Sequence, residues 1–260
     1  MPHDLVNFAR MVSLAAVITL PLSAHASIKV ELQRGDQEPT SLTLPARARL
    51  ADALGRGDAK DDCPMQRAWL RPSARKQQHM LQKGLVYDLE VLAQQATLDA
   101  DRALAAWAHA QARLIASMEI TGRIPGQRLD LERLEAIPAE NRLLRDGDRI
   151  LMPGCSDSIR ILQGGTLQVQ PYRPGAMAED YLGHIPQERW HQPGELIVVH
   201  GTGHIERIRV GHWRSVAPSR PGAGALLFRP LRDEVLDGIN PALNEELARW
   251  FATQVWVDAH

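Results

Sequence analysis

Alternation of apolar and polar positions opens the legible part of the chain. Ile28, Val30 and Leu32 alternate with Lys29 and Glu31, a polar break covers Gly35 to Pro39, and Leu42 and Leu44 alternate with threonine. A period of two places successive side chains on opposite faces, so this stretch predicts a β-hairpin. Arg49 to Leu54, ending at Gly55, reads as a short helix laid over that hairpin to bury one face. From about Pro72 to Ile120 the period lengthens. Leu81, Leu85, Leu89 and Leu92 within Gln77–Leu92 keep the three-to-four spacing of an amphipathic helix. Asp99 is the expected cap of a second helix whose apolar stripe is Leu104, Trp107, Leu114 and Met118. These helices look like an insertion at about 72–120 that divides a strand-rich region, and their Met and Trp positions read as core.

Strand-like sequence resumes at Thr121–Pro125 and leads through Leu129, Leu131 and Leu134 to Arg145–Pro153, where Asp146-Gly147 forms a tight turn. With the opening hairpin these pieces complete a small mixed sheet over 27–156. A second strand-rich region, 157–235, starts with Ile159, Ile161, Leu167 and Val169 around Gly164-Gly165, a second hairpin signature. A short helical link near Ala178–Leu182 and strands at Leu196–His200, Ile205–Val210 and Ala225–Phe228 follow. Two regions with one plan suggest a duplicated module, although their residues are too dissimilar to constitute a sequence repeat. The remaining segment, 236–260, contains Asn240-Pro241, a favourable helix entry, and a stripe of Leu243, Leu247, Trp250, Phe251 and Val255 with Asn244, Glu245, Arg249 and Gln254 off it. That stripe must be covered by the chain's own domain, by a partner or by a membrane interface. A polar face that is not strongly basic disfavours the membrane.

The N-terminus changes the compartment in which these modules are expected to work. Arg10 precedes an apolar run from Met11 to Leu22, and Ser23-Ala24-His25-Ala26 follows. This is the layout of a cleavable secretory signal peptide over 1–26, with an uncleaved anchor in the same compartment as the alternative; the run is short for a membrane span. No cysteine in or just after the run offers a lipid attachment point. The formal charge of −1, with no basic stripe interleaved with aromatics, argues against a general nucleic-acid binder. Cys63 and Cys155 stand alone, without a C-x-x-C. In an oxidising compartment such a pair favours a disulfide over a metal site, with free thiols as the alternative.

Candidate chemistry is sparse. His200, His204 and His212, with His184 and His191 upstream, are the nearest approach to a metal-ligand cluster, but His200-x3-His204 falls on an expected hairpin rather than a helix face. These histidines read as surface or sheet-edge residues. Gly201-x-Gly203 and Gly222-Ala223-Gly224 lack the lysine of a phosphate loop, Ser215 and Ser219 lack a triad context, and the adjacent pairs Asp61-Asp62 and Glu245-Glu246 carry no acid-and-base geometry. No cofactor or metal is expected. Arg123, where the helical insertion returns to a strand, is the candidate for binding a carboxylate or acidic sugar through its planar fork; a structural salt bridge is the alternative.

The early hairpin, the helical insertion, Thr121-Gly122-Arg123, the run from Leu143-Leu144-Arg145-Asp146-Gly147-Asp148 to Pro153, and the Asn240-Pro241-x-Leu243-Asn244 helix together resemble the GfcC-like capsule and exopolysaccharide biosynthesis proteins. The likeness extends over most of the chain after Ala26, through short, non-catalytic motifs. It implies two β-grasp domains related to those of outer-membrane polysaccharide exporters, a helical insertion in the first, and an amphipathic C-terminal helix: an α+β fold. It also implies a non-enzymatic periplasmic role in capsule, O-antigen or exopolysaccharide assembly, with polysaccharide or an exporter as partner. A polysaccharide-modifying enzyme is the alternative. The family's exposed arginine near a cleft would correspond to Arg123, or to Arg113. Leu243, Leu247, Trp250 and Phe251 are the candidates for a helix face that meets a partner.

Overall fold

A computed structural model describes residues 26–57, 63–210 and 219–256. The expected signal segment before Ala26, together with Asp61, Asp62, His212 and Ser215, lies outside them. The fold is mixed α+β. The first region contains β1 (Ser27–Arg34), β2 (Thr40–Pro45), α1 (Leu50–Leu54), β3 (Ala68–Leu70), α2 (Arg75–Leu98), α3 (Arg102–Ser117), α4 (Leu131–Ala136) and β4 (Arg149–Met152). The second contains β5 (Ser158–Gln163), β6 (Thr166–Pro171), a 3-10 segment at Ala178–His184, β7 (Glu195–Val199), β8 (Ile205–Arg209) and β9 (Leu226–Phe228). Helices α5 (Asp233–Leu236) and α6 (Leu243–Ala252) follow.

The strands form two sheets with one plan. The first runs β2-β1-β4-β3 and the second β6-β5-β9-β7-β8. In each, the first hairpin strand is antiparallel to the second and parallel to the region's last strand. That last strand in turn pairs antiparallel with the strand between, β3 or β7. A short helical segment follows each hairpin, and β8 extends the second sheet at one edge.

Register explains the burial. Val30 pairs with Leu42 and Ile28 with Leu44, so one face of the first sheet meets Leu50, Ala53 and Leu54 of α1 and Leu134 of α4. The second sheet is covered on both faces. Ile159, Ile161, Leu196, Val198 and Leu227 pack on Ala178, Tyr181 and Ile185, while Leu162, Ile197, Val199, Leu226 and Phe228 face the helices. This double covering accounts for the unbroken apolar runs Leu196–Val199 and Leu226–Phe228.

Helices α2 and α3 leave the sheet whose strands flank them in sequence. Leu85, Leu89 and Leu92 of α2 and Leu104, Ala108, Ala112 and Ile115 of α3 share a core with the second sheet and with α6. In that core Leu243, Leu247, Trp250 and Phe251 are at most 2% exposed. Each large side chain so buried is worth about 1.5–3 kcal/mol relative to exposure, so these four residues are enclosed by their own chain and form no free partner face. Asn244, expected off the stripe, is buried with them. Its side chain accepts from Leu231 N–H at 2.8 Å and donates to Leu231 C=O at 2.9 Å, replacing a backbone partner.

Other elements depart from the sequence reading. Asp101 rather than Asp99 caps α3, its carboxylate accepting from Leu104 N–H at 3.1 Å; Asp99 closes the end of α2. Half of the buried stripe of α3 is alanine (Ala105, Ala108 and Ala112), with Trp107, Leu114 and Met118 only partly buried around it. Strand β3 (Ala68-Trp69-Leu70) and helix α4 carry no legible periodicity because each is so short. Thr121–Pro125 contributes one bridge, Arg123 to Leu70, rather than a strand.

Candidate functional site

Thr121-Gly122-Arg123 is a structural knot. Gly122 has φ +81°, and a Cβ there would lie 2.8 Å from Arg71 O, so only glycine fits. Gly122 N–H donates to Gln78 Oε1 at 2.8 Å, and Gln78 Nε2 donates to Arg123 O at 2.8 Å. Thr121 Oγ1 donates to Thr253 O at 2.6 Å. Arg123 is 3% exposed. Its guanidinium donates to Gln254 O at 2.5 Å and to Gly201 O, while Nε has no hydrogen-bond partner among the described residues. Burial lowers its pKa to about 10, which leaves the group protonated at neutral pH. The expected exposed, ligand-facing arginine is therefore enclosed, and its fork is spent on two backbone carbonyls. Arg113 is exposed on α3 and does not line the cleft described next.

The carbonyl that Arg123 holds belongs to the β7–β8 turn, which walls a cleft of about 690 Å³. Arg128, Tyr172, His200, His204 and Arg220 supply its polar and aromatic lining, with Cys63 at one side. The turn folds because His200 N–H donates to His204 O at 2.8 Å and Gly203 N–H to His200 O at 2.7 Å, with Gly203 at φ +79°. Both imidazoles end on the same side, stacked with centroids 5.6 Å apart. Gly126 N–H donates to Thr202 O at 3.0 Å, fastening the segment after Arg123 to the turn. On the other wall Gln66 spans the gap, donating to Ala223 O at 3.3 Å and accepting from Ser156 N–H at 3.1 Å. Cys63 and Cys155 are joined in a disulfide, with Cα atoms 5.0 Å apart.

Among the described residues the cleft lining includes two arginines and two imidazoles and no carboxylate. Glu206 stands behind it, accepting from Ser219 Oγ at 2.7 Å and pairing with His200 Nε2 at 3.2 Å through the same oxygen. A serine nucleophile needs its histidine between serine and acid; here Glu206 lies between Ser219 and His200, so these three do not form that relay. Concentrated positive charge beside flat rings favours an anionic, hydroxyl-rich ligand. Sequence reasoning set His200 and His204 aside as sheet-edge residues; the signal available was a glycine turn flanked by two histidines. Arg128, Tyr172 and Arg220 had no such signal, since three separate loops bring them together.

A second crevice of about 170 Å³ lies beside Trp107, His191 and Arg229. His191 is neutral there: burial, reinforced by Arg229, lowers its pKa to about 4. His184 is exposed elsewhere. Among the described residues no group of three or more His, Cys, Asp or Glu side chains is placed to hold a metal ion, and no described helix is long and apolar enough to cross a membrane.

No curated protein matches the chain. Residues 166–256, from β6 to just beyond α6, match the family described as Capsule biosynthesis GfcC C-terminal.

Proposed function

We propose that this protein is a non-enzymatic periplasmic accessory component in the assembly or export of capsule, O-antigen or exopolysaccharide. The match of residues 166–256 to the capsule-biosynthesis family carries this reading. We take the two sheets as β-grasp modules, a reading supported by their shared strand order and pairing sense. The first module begins at 27, the second at 157, and α6 is an amphipathic helix folded back on its own chain. Polysaccharide, or an outer-membrane exporter handling it, is the partner. The basic cleft is the place where an acidic saccharide binds: Arg128 and Arg220 meet its carboxylates, and Tyr172 and the imidazoles lie against its rings. Arg123 positions the β7–β8 turn from beneath.

Calorimetric titration with acidic and neutral oligosaccharides of equal length tests the reading. The acidic series binds, and Arg128→Glu combined with Arg220→Glu weakens it at least tenfold while leaving the melting temperature in place, because both side chains are exposed. Equal binding of the neutral series would sink the charge-based site. Recovery of shortened oligosaccharide would turn the case to a polysaccharide-modifying enzyme. Crosslinked capture of an outer-membrane exporter from the cell envelope is the expected partner result.

A further inference from the structure

Strand β6 is an outer edge of the second sheet. Its hairpin with β5 closes over Gly164 and Gly165, at φ +55° and +82°, a two-residue turn whose closing pair is Gln163 with Thr166. Antiparallel alternation then aims the backbone groups of Thr166, Gln168 and Gln170 at β5 and those of Leu167, Val169 and Pro171 away from it. Pro171 has no N–H to lose on that outward side, as suits an edge position. Neither Leu167 nor Val169 takes a backbone partner beyond the ladder among the described residues. Gly165 lies so close to Ala110 of α3 that a Cβ would fall 2.4 Å from it, so the turn is seated on a helix and the edge is held in place.

Natural edge strands are usually guarded by charge, bulges or covering elements. The opposite edge of this sheet, β8, carries Glu206, Arg207 and Arg209. Strand β6, Thr-Leu-Gln-Val-Gln-Pro, carries no charge, and Val169 is 59% exposed. The neutral edge of the first sheet, β2, differs in turning Leu44 into the core and presenting Thr40, Ser41 and Thr43.

We propose that β6 is a self-association edge: two copies of this chain pair antiparallel through it, in a two-fold register centred on Gln168, joining their second sheets into one. The strand is complementary to itself in that register. Leu167 N–H meets Val169 C=O of the second copy, Val169 N–H meets Leu167 C=O, and the symmetry repeats both bonds. Leu167 and Val169 share a sheet face, so each side chain lies beside its apolar counterpart, and no like charges meet. A register centred on Val169 would set each Leu167 carbonyl against Pro171, which has no hydrogen to give. One short strand pair covers less than the ~800 Å² per partner of a standard interface, so the dimer forms reversibly as concentration rises.

The register supplies its own test. Gln168 would face Gln168 of the second copy as a non-hydrogen-bonded pair, with Cα atoms about 4.5 Å apart and within disulfide reach. Gln168→Cys in the full chain, oxidised mildly, is expected to cross-link to a covalent dimer at least tenfold faster than Gln170→Cys, whose counterpart is Thr166. Adding Val169→Lys should remove that cross-linking without lowering the melting temperature, because the side chain is solvent-facing; Val169→Pro, which deletes the outward N–H, should act alike. Sedimentation of the unsubstituted chain should show mass rising with concentration. Equal cross-linking of the two cysteine variants, cross-linking that survives Val169→Lys, or a constant monomer mass into the millimolar range would each overturn the proposal.

Discussion

Asp148 is 0% exposed and is the most heavily used carboxylate in the first region. Arg71 reaches it through two bonds, at 3.0 and 2.8 Å, Trp69 Nε1 donates at 3.0 Å and Arg145 N–H at 2.9 Å. The Arg71 guanidinium also lies over the Trp69 ring, 4.2 Å from its centroid. Removing one partner of a buried ion pair leaves the other uncompensated, at a cost of about 3–5 kcal/mol. Asp148→Ala is therefore expected to lower the urea midpoint sharply, and a midpoint within error of the parent would refute this role. The Asp146-Gly147-Asp148 turn was legible as a turn. Its anchoring duty was not, because Arg71 and Trp69 lie far upstream and only the β3–β4 pairing brings them alongside.

At the scale of elements, the α2–α3 connection carries an avoidable strain. Ala100 has φ +59°, the one non-glycine residue with positive φ among the described residues, and a Cβ in the left-handed region costs about 1–2 kcal/mol. Its position is fixed by Ala100 N–H donating to Thr97 O at 3.1 Å and Asp101 N–H to Ala96 O at 2.7 Å. Ala100→Gly should raise thermal stability by about 1 kcal/mol, the relief exceeding the entropy that glycine adds to the unfolded chain; a lower melting temperature would show the strain to be absent. The helices themselves were legible from leucine spacing. The cap was misplaced by two residues because Asp99 and Asp101 are chemically equivalent, and the backbone reversal at Ala100 selects the second.

Across the whole molecule, the Cys63–Cys155 disulfide joins positions 92 residues apart and borders the cleft. Closing a loop of that length in the unfolded chain is worth roughly 4–5 kcal/mol in the chain-entropy picture. Cys63→Ser with Cys155→Ser, or reduction under native conditions, should lower the unfolding free energy by an amount of that order. A loss under 1 kcal/mol would mean that the cleft wall is held by its other contacts, such as those of Gln66. The pairing followed from compartment and cysteine count, whereas its place at the cleft did not, because loops from both regions converge there.

Local chemistry was enough to place the hairpins, both long helices and the turn glycines, because a period of two or of three to four residues is a short-range property of the chain. Long-range packing assigned the partners. It moved α2 and α3 onto the second sheet, enclosed the α6 stripe, buried Arg123 beneath the β7–β8 turn and assembled a cleft from five separate chain segments. Spacing along the chain carries no distance between residues separated by whole elements. Those contacts are set by which arrangement buries the apolar faces while leaving few backbone groups unpaired.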